Sequence, residues 1–132
     1  MKVKDFKELN VYKIAFASAL QIFEQSKGFP NEERYSLTDQ LRRSTRSVCA
    51  NVAEAWGKRR YPAAFVSKLS DADAEAAETM VWLEMAVQCG YLKNGIYKEL
   101  VDHYDHICAQ LSKMMSAPEQ WCNPSGHKRQ AN

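Results

Sequence analysis

Gln40-Leu41-Arg42-Arg43-Ser44-Thr45-Arg46-Ser47-Val48-Cys49-Ala50-Asn51-Val52-Ala53-Glu54-Ala55-Trp56-Gly57-Lys58-Arg59 is the stretch whose reading decides the fold. At about 100° per residue, Leu37, Leu41, Ser44, Val48, Val52, Ala55 and Trp56 fall on one apolar face. Gln40, Ser47, Asn51 and Glu54 form a polar stripe beside it. The face opposite the core carries Cys49, Ala50, Ala53 and Gly57, small residues where a solvated helix normally carries long charged side chains. A second packing surface is therefore expected there.

Working outward, three more helical segments emerge. The first runs from about Val11 to Lys27, with Asn10 as the expected N-cap and Gly28 as the stop ahead of Pro30. Its apolar residues, Val11, Tyr12, Ala15, Phe16, Ala19, Leu20, Ile22 and Phe23, cover a wider arc than one bundle face requires. Pro30 opens a short turn at Asn31-Glu32-Glu33. Ser36 with Asp39 forms a capping-box pattern at the start of the quoted helix, which runs to about Arg59. The third helix starts near Pro62, a favoured first position, and ends at Cys89 before Gly90. Phe65, Leu69, Ala72, Ala76, Met80, Leu83 and Val87 form its core stripe, and Val81, Trp82 and Met85 lie off it. The fourth runs from about Ile96 to Ser116, with Tyr97, Leu100, Tyr104, Ile107, Leu111 and Met114 at heptad-like spacing. Four helices with short connections predict an all-α, antiparallel, up-down-up-down four-helix bundle over residues 1–117. Residues 118–132, rich in polar and turn-forming types, are expected to be a loosely ordered C-terminal tail.

The run Ser47-Val48-Cys49-Ala50-Asn51-Val52-Ala53-Glu54-Ala55, preceded by Gln40-Leu41-Arg42-Arg43-Ser44 and followed by Gly57-Lys58-Arg59, resembles the signature of the small "four helix bundle protein" family. That family includes proteins encoded in intervening sequences of bacterial large-subunit ribosomal RNA genes and accessory proteins of diversity-generating retroelements. Phe6 with Leu9, Phe29-Pro30 and Gly90-Tyr91-Leu92 extend the resemblance over most of residues 6–116. Family members often have Pro where Cys49 stands, Gly where Ala55 stands and Gly-Ser where Ala72-Asp73 stands, which points to a divergent branch. The resemblance implies a four-helix bundle and association with RNA-linked elements. Because the retroelement accessory proteins form basic pentameric rings, it also implies a homo-oligomer, a ring of five by analogy. It implies no catalytic role for Gln40 or Asn51.

A chain of 132 residues, 45% of them hydrophobic, is long enough for one domain with a real core. No run approaches the ~20 apolar residues of a membrane span, and the first residues lack the apolar centre of a signal peptide. A cytoplasmic location is expected, with no membrane partner. Cys49, Cys89, Cys108 and Cys122 form no C-x-x-C pair and no ligand-like spacing, so reduced structural thiols are expected.

The net charge of +2 hides an asymmetry: residues 1–60 hold 12 Lys and Arg against 7 Asp and Glu, whereas residues 61–117 hold 4 against 8. Such polarity serves a nucleic acid, or neutralises itself within the fold or between subunits. Phosphate backbones reward clustered Arg and Lys through counterion release. Level with Arg43 and Arg46 across an antiparallel hairpin stand Glu78 and Glu75, which can absorb both arginines. Arg42, Lys58, Arg59 and Arg60 have no equally placed acids and are the candidate nucleic-acid-binding residues.

The stripe of Gln40, Ser47, Asn51 and Glu54 contains no visible nucleophile–base pair and reads as a structural polar network. Glu99, His103 and His106 share one helix face, yet three ligands on a single helix surface without a fourth nearby in sequence read as a solvated face, and no metal is expected. No phosphate-cradling Gly-rich loop or catalytic motif occurs. The expectation is a non-enzymatic, self-associating bundle without cofactor or evident small-molecule substrate. Its oligomer interface is placed at Cys49, Ala50, Ala53, Gly57, Val81, Trp82 and Met85. Two functions follow: a nucleic-acid-binding accessory module for RNA or DNA, or a structural module that contacts only proteins.

Overall fold

The apolar periodicities become four helices. In the computed structural model, which describes residues 2–123, α1 is Asn10–Ser26, α2 is Leu37–Gly57, α3 is Pro62–Gln88 and α4 is Asn94–Ser116. Helix α1 packs on α2 and α4, α2 on α3, and α3 on α4, while the diagonal pairs do not approach one another. This is the up-down bundle that short connections impose. No described helix is long and apolar enough to cross a membrane.

The helix ends show where local rules hold and where they yield. Asn10 is the first helical residue instead of the cap, and that place falls to buried Leu9, which offers no side-chain acceptor. At α2 the expected Ser36–Asp39 box does not form. Ser36 Oγ donates to Glu33 Oε1 at 2.6 Å and the Leu37 N–H donates to the same oxygen at 3.3 Å, so a carboxylate from the preceding turn covers the helix start. Tyr91 Oη donates to Glu33 Oε2 at 2.9 Å, tying the α1–α2 connection to the α3–α4 turn.

Gly90 takes φ +80°, with its N–H on Val87 O at 3.1 Å and the Tyr91 N–H on Ala86 O at 2.8 Å. That is a Schellman closure, which needs a residue without Cβ strain in the left-handed region. Gly28 does not: its φ is not positive, and α1 ends through tight turns, including Phe29 N–H on Ser26 O at 3.1 Å.

The hydrogen bonds from Ser36, then Tyr91, then the Leu37 N–H hold the Glu33 carboxyl below the ordinary glutamate range. The Tyr91 hydroxyl is correspondingly pushed up to about 12, chiefly by its bond to Glu33. A lowered folded pKa contributes stability that is complete above the unfolded value, ~4.3, and is lost as pH falls through the folded value. Glu33→Gln should therefore lower the thermal midpoint at neutral pH and shrink the midpoint's fall between neutral pH and strong acid. An unchanged acid profile in thermal melts would show that the linkage is absent.

All seven residues assigned to the core face of α2 are buried, joined by Thr38 and Thr45. The α1 core stripe is narrower than its apolar content suggests: Val11, Ala15, Ser18, Ile22 and Ser26 face inward, while Phe16 and Leu20 remain 47% and 54% exposed. Two serines take core positions with polar partners: Ser26 Oγ donates to Phe23 O at 2.8 Å and accepts from Arg42 Nε, and Ser18 Oγ lies 3.5 Å from His103 Nδ1. In α3, Met80 and Val87 are only half-buried, and Thr79 and Ala86 are fully enclosed instead. Thr79 Oγ1 and Ser44 Oγ lie 2.8 Å apart across the α2–α3 seam. Tyr97 is half-buried, while the other five α4 stripe residues are buried.

Tyr104 is enclosed completely, and its hydroxyl finds no hydrogen-bond partner among the described residues. An orphaned hydroxyl in an apolar interior costs about 1–3 kcal/mol. Tyr104→Phe is expected to raise stability by about 1 kcal/mol or more in urea denaturation, and a loss of stability would reveal a partner for the hydroxyl.

Of the residues expected in the loose tail, 118–123 are placed against the bundle. Pro118–Gln120 forms one tight turn, Trp121 and Cys122 are half-buried against the bundle, and the Asn123 N–H reaches Arg59 O at 3.3 Å. The rest of that expectation, residues 124–132, lies outside the described residues.

Candidate nucleic-acid interface

The helix wheel sorts the arginines of α2 between two neighbours. Arg43 points to α3, where its guanidinium pairs with Glu75 at 3.2 Å and with Glu78, and its Nε donates to Gln40 Oε1 at 3.2 Å. Trp82 Nε1 donates to Glu78 Oε2 at 3.0 Å and closes the cluster. Arg46 does not reach Glu75 as its height along the hairpin suggests. Three residues beyond Arg43 it has rotated by about −60° and shares the α1 side with Arg42. Its guanidinium carbon lies 5.6 Å from the Phe23 ring centre. Arg42, expected to be free for phosphate, is half-buried: Nε donates to Ser26 Oγ at 2.7 Å and its guanidinium lies 4.6 Å over Phe23.

The polar stripe is the flank of the same α2–α3 seam. Asn51 Nδ2 donates to the Ser47 carbonyl at 3.0 Å and lies 3.1 Å from Ser47 Oγ, while Lys68 Nζ approaches Asn51 Oδ1 at 3.4 Å. Lys68 also pairs with Glu54 at 2.8 Å and Asp71 at 3.7 Å. The Lys68 bond holds the Glu54 carboxyl below its ordinary range. Gln40, Ser47, Asn51 and Glu54 thus join helices through Arg43 and Lys68, with no hydroxyl set against a general base.

The C-terminal end of α2 is different. Lys58 and Arg60 are exposed, and among the described residues no ion pair involves either. Arg59 between them is fixed: Nε donates to Trp56 O at 2.8 Å and its guanidinium lies 3.6 Å over the Trp56 ring. Tyr61, which follows, is 59% exposed. Beside them opens a cleft of about 480 Å³ lined by Lys2, Trp56, Arg59, Gln120, Trp121 and Asn123, among others. Cations and aromatic rings therefore converge at one end of the bundle.

The residues assigned to an oligomer interface fall into separate patches. Cys49, Ala50 and Ala53 floor a groove of about 500 Å³ between α1 and α2, walled by Phe16, Leu20 and Phe23. Gly57 lies further along α2 and has open space on its Cβ side. Val81 and Met85 are about half exposed on α3, with Trp82 turned into the Arg43–Glu78 cluster.

All four cysteines are free thiols. Burial pushes the Cys49 thiol up to about 11, and burial followed by Asp73 pushes Cys108 to about 12, the opposite of an activated nucleophile. Glu99, His103 and His106 take different hydrogen-bond partners. Glu99 accepts from Gln21 Nε2 at 2.9 Å, His103 Nδ1 lies 3.5 Å from Ser18 Oγ, and His106 Nδ1 lies 2.9 Å from its own helix's Asp102 O. No group of three or more ligand side chains fit to hold a metal occurs among the described residues.

A family model described as "23S rRNA-intervening sequence protein" matches residues 7–113, which is the whole bundle bar the end of α4. The chain belongs to this family. A solved structure from Bacteroides thetaiotaomicron, a protein with unknown function from the S23 ribosomal protein family, shares 28% identity and a TM-score of 0.72. The match covers 80% of this chain and 95% of that one. No curated protein matches.

In this family member the two residues at the α2 end that carry no signal in the sequence are Lys2 and Trp121. Both lie outside the matched 7–113 segment and are brought to Arg59 only by the folded ends of the chain. A lone Trp after a Pro-Glu-Gln turn, with no periodic context, carries no local signal of that kind.

Proposed function

We propose that this 23S rRNA-intervening sequence family member is a non-catalytic, self-associating bundle that contacts the phosphate backbone of RNA or DNA through the basic end of α2. One observation carries the reading: Arg42 and Arg43 are consumed by contacts within the chain, whereas Lys58 and Arg60 stand exposed and without ion pairs among the described residues, beside Lys2, Arg59 and two aromatic rings. Exposed cations release counterions from phosphate; paired ones do not. The family description names 23S rRNA, a polymer of the class the reading invokes. Self-association is supported by the α1–α2 groove, whose exposed Phe16 and Leu20 mark an interface more than a solvated flank. Four free thiols fit a reducing, cytoplasmic setting.

The test combines light scattering with binding to generic RNA and DNA at rising salt. A mass of several 15.1 kDa chains is expected, five by the family resemblance. Affinity should fall log-linearly with salt. A monomer at micromolar concentration removes the self-association claim. Absence of any retention at low salt removes the nucleic-acid claim and leaves a protein-interaction module, the reading that the apolar groove favours.

A further inference from the structure

The basic end of α2 offers more than charge. Trp121 lines two hollows at once: the cleft of about 480 Å³ that it shares with Lys2 and Arg59, and a second of about 400 Å³ that it shares with Asn10, Gln110 and Lys113. The indole packs against the core cluster and keeps part of its surface on both hollows. In the first hollow the Arg59 guanidinium is locked over Trp56, which fixes a second planar group in place. Gln120 and Asn123, both exposed, line the same hollow, and their side-chain amides are of a type that can donate to and accept from a base edge. Cations flank both hollows.

Flat groups set in a concave, positively charged site suit unpaired bases. In a duplex the π-faces are covered by neighbouring base pairs, and only the backbone and the base edges in the grooves reach a surface, whereas a single strand can splay a base onto an aromatic ring or guanidinium plane. We propose that this end of the bundle takes single-stranded nucleic acid in preference to duplex, stacking an unpaired base on Trp121 and setting the flanking phosphates on Lys2, Lys58 and Arg60. The inference rests on the proposed function above and adds the strand state of the ligand.

The test compares three probes of about 12 nucleotides, within the span of known single-strand sites: a mixed-sequence single strand, the same strand with abasic sugars, and the matching duplex. The full-length protein is titrated by fluorescence anisotropy at fixed salt. The intact strand should bind about 5- to 100-fold tighter than the abasic strand, the range that stacking of one base supplies. It should also bind tighter than the duplex. Trp121→Leu, which keeps apolar bulk, should erase most of that ratio, and Trp121→Phe, which keeps a π-face, should retain it, with the salt slope unchanged in both.

The wild-type comparison of intact and abasic strands does not depend on how any variant folds. Equal binding of intact and abasic strands, or a ratio that survives Trp121→Leu, overturns the stacking inference while leaving the phosphate reading in place. No binding of any probe overturns both.

Discussion

Phe65→Ala is expected to cost about 3–5 kcal/mol, the typical range for emptying an enclosed aromatic site. Phe65 is fully buried in α3, close to the turn that joins it to α2. At that turn the chain is pinned by Pro62 at the helix start and by the Phe65 N–H on Tyr61 O at 2.9 Å, so the backbone has little room to collapse into the vacated space. Total stabilities of 5–15 kcal/mol are usual, so this one change removes a large share. The thermal midpoint should fall by roughly 10–20 °C. Urea denaturation at fixed protein concentration checks it, because any self-association makes stability depend on concentration. A cost under about 1 kcal/mol would mean that the site relaxes or is not enclosed.

Lys58→Ala with Arg60→Ala should flatten the salt dependence of nucleic-acid binding. Each lost phosphate contact removes about 0.9 from the log–log slope on duplex DNA and about 0.7 on single strands, so the pair removes about 1.8 or 1.4. Both side chains are exposed, so stability and assembled mass should stay at wild-type values. Arg59 is left in place on purpose: its stack on Trp56 and its bond to Trp56 O make it part of the local structure, and its loss would mix folding with binding. Arg42→Ala serves as the contrast, because a guanidinium held on Ser26 and Phe23 should weaken the bundle before it changes the slope. A wild-type slope in the Lys58/Arg60 double variant would remove both residues from the interface.

The bundle was legible because its core signal is angular and local. The α2 stripe repeats at helical spacing without a break, and every residue read onto it is buried. What escaped required knowing what stood opposite. Ser18 and Ser26 are polar by type and buried only because neighbouring helices close over them. Glu33 took the capping role of the Ser36–Asp39 pair, since a carboxylate already held by Tyr91 across the bundle lay nearer the open N–H groups. Arg43 and Arg46 look equivalent by height along the hairpin, yet a rotation of 60° sends one to Glu75 and Glu78 and the other to Phe23. At the candidate interface, Lys58 and Arg60 are exposed and stand outside the ion pairs among the described residues. Lys2 and Trp121 were invisible in the sequence, because only the closed chain brings its two ends to the same corner.

The α2–α3 seam and the hollow flank of α1 also divide the molecule by how readily its backbone opens to solvent. The seam combines enclosed side chains with the Ser44–Thr79, Arg43–Glu75 and Lys68–Glu54 contacts, all of which must part before the two helices can separate. Helix α1 instead holds two serines in its inner stripe and leaves Phe16 and Leu20 outward over a groove. Regions with fewer enclosed contacts unlock first and at lower free energy. In deuterated water, amides near the middle of α2 and α3 should be the last to exchange. Those of α1 should lead, so that a partner seated in the groove would register first as slowed exchange along α1.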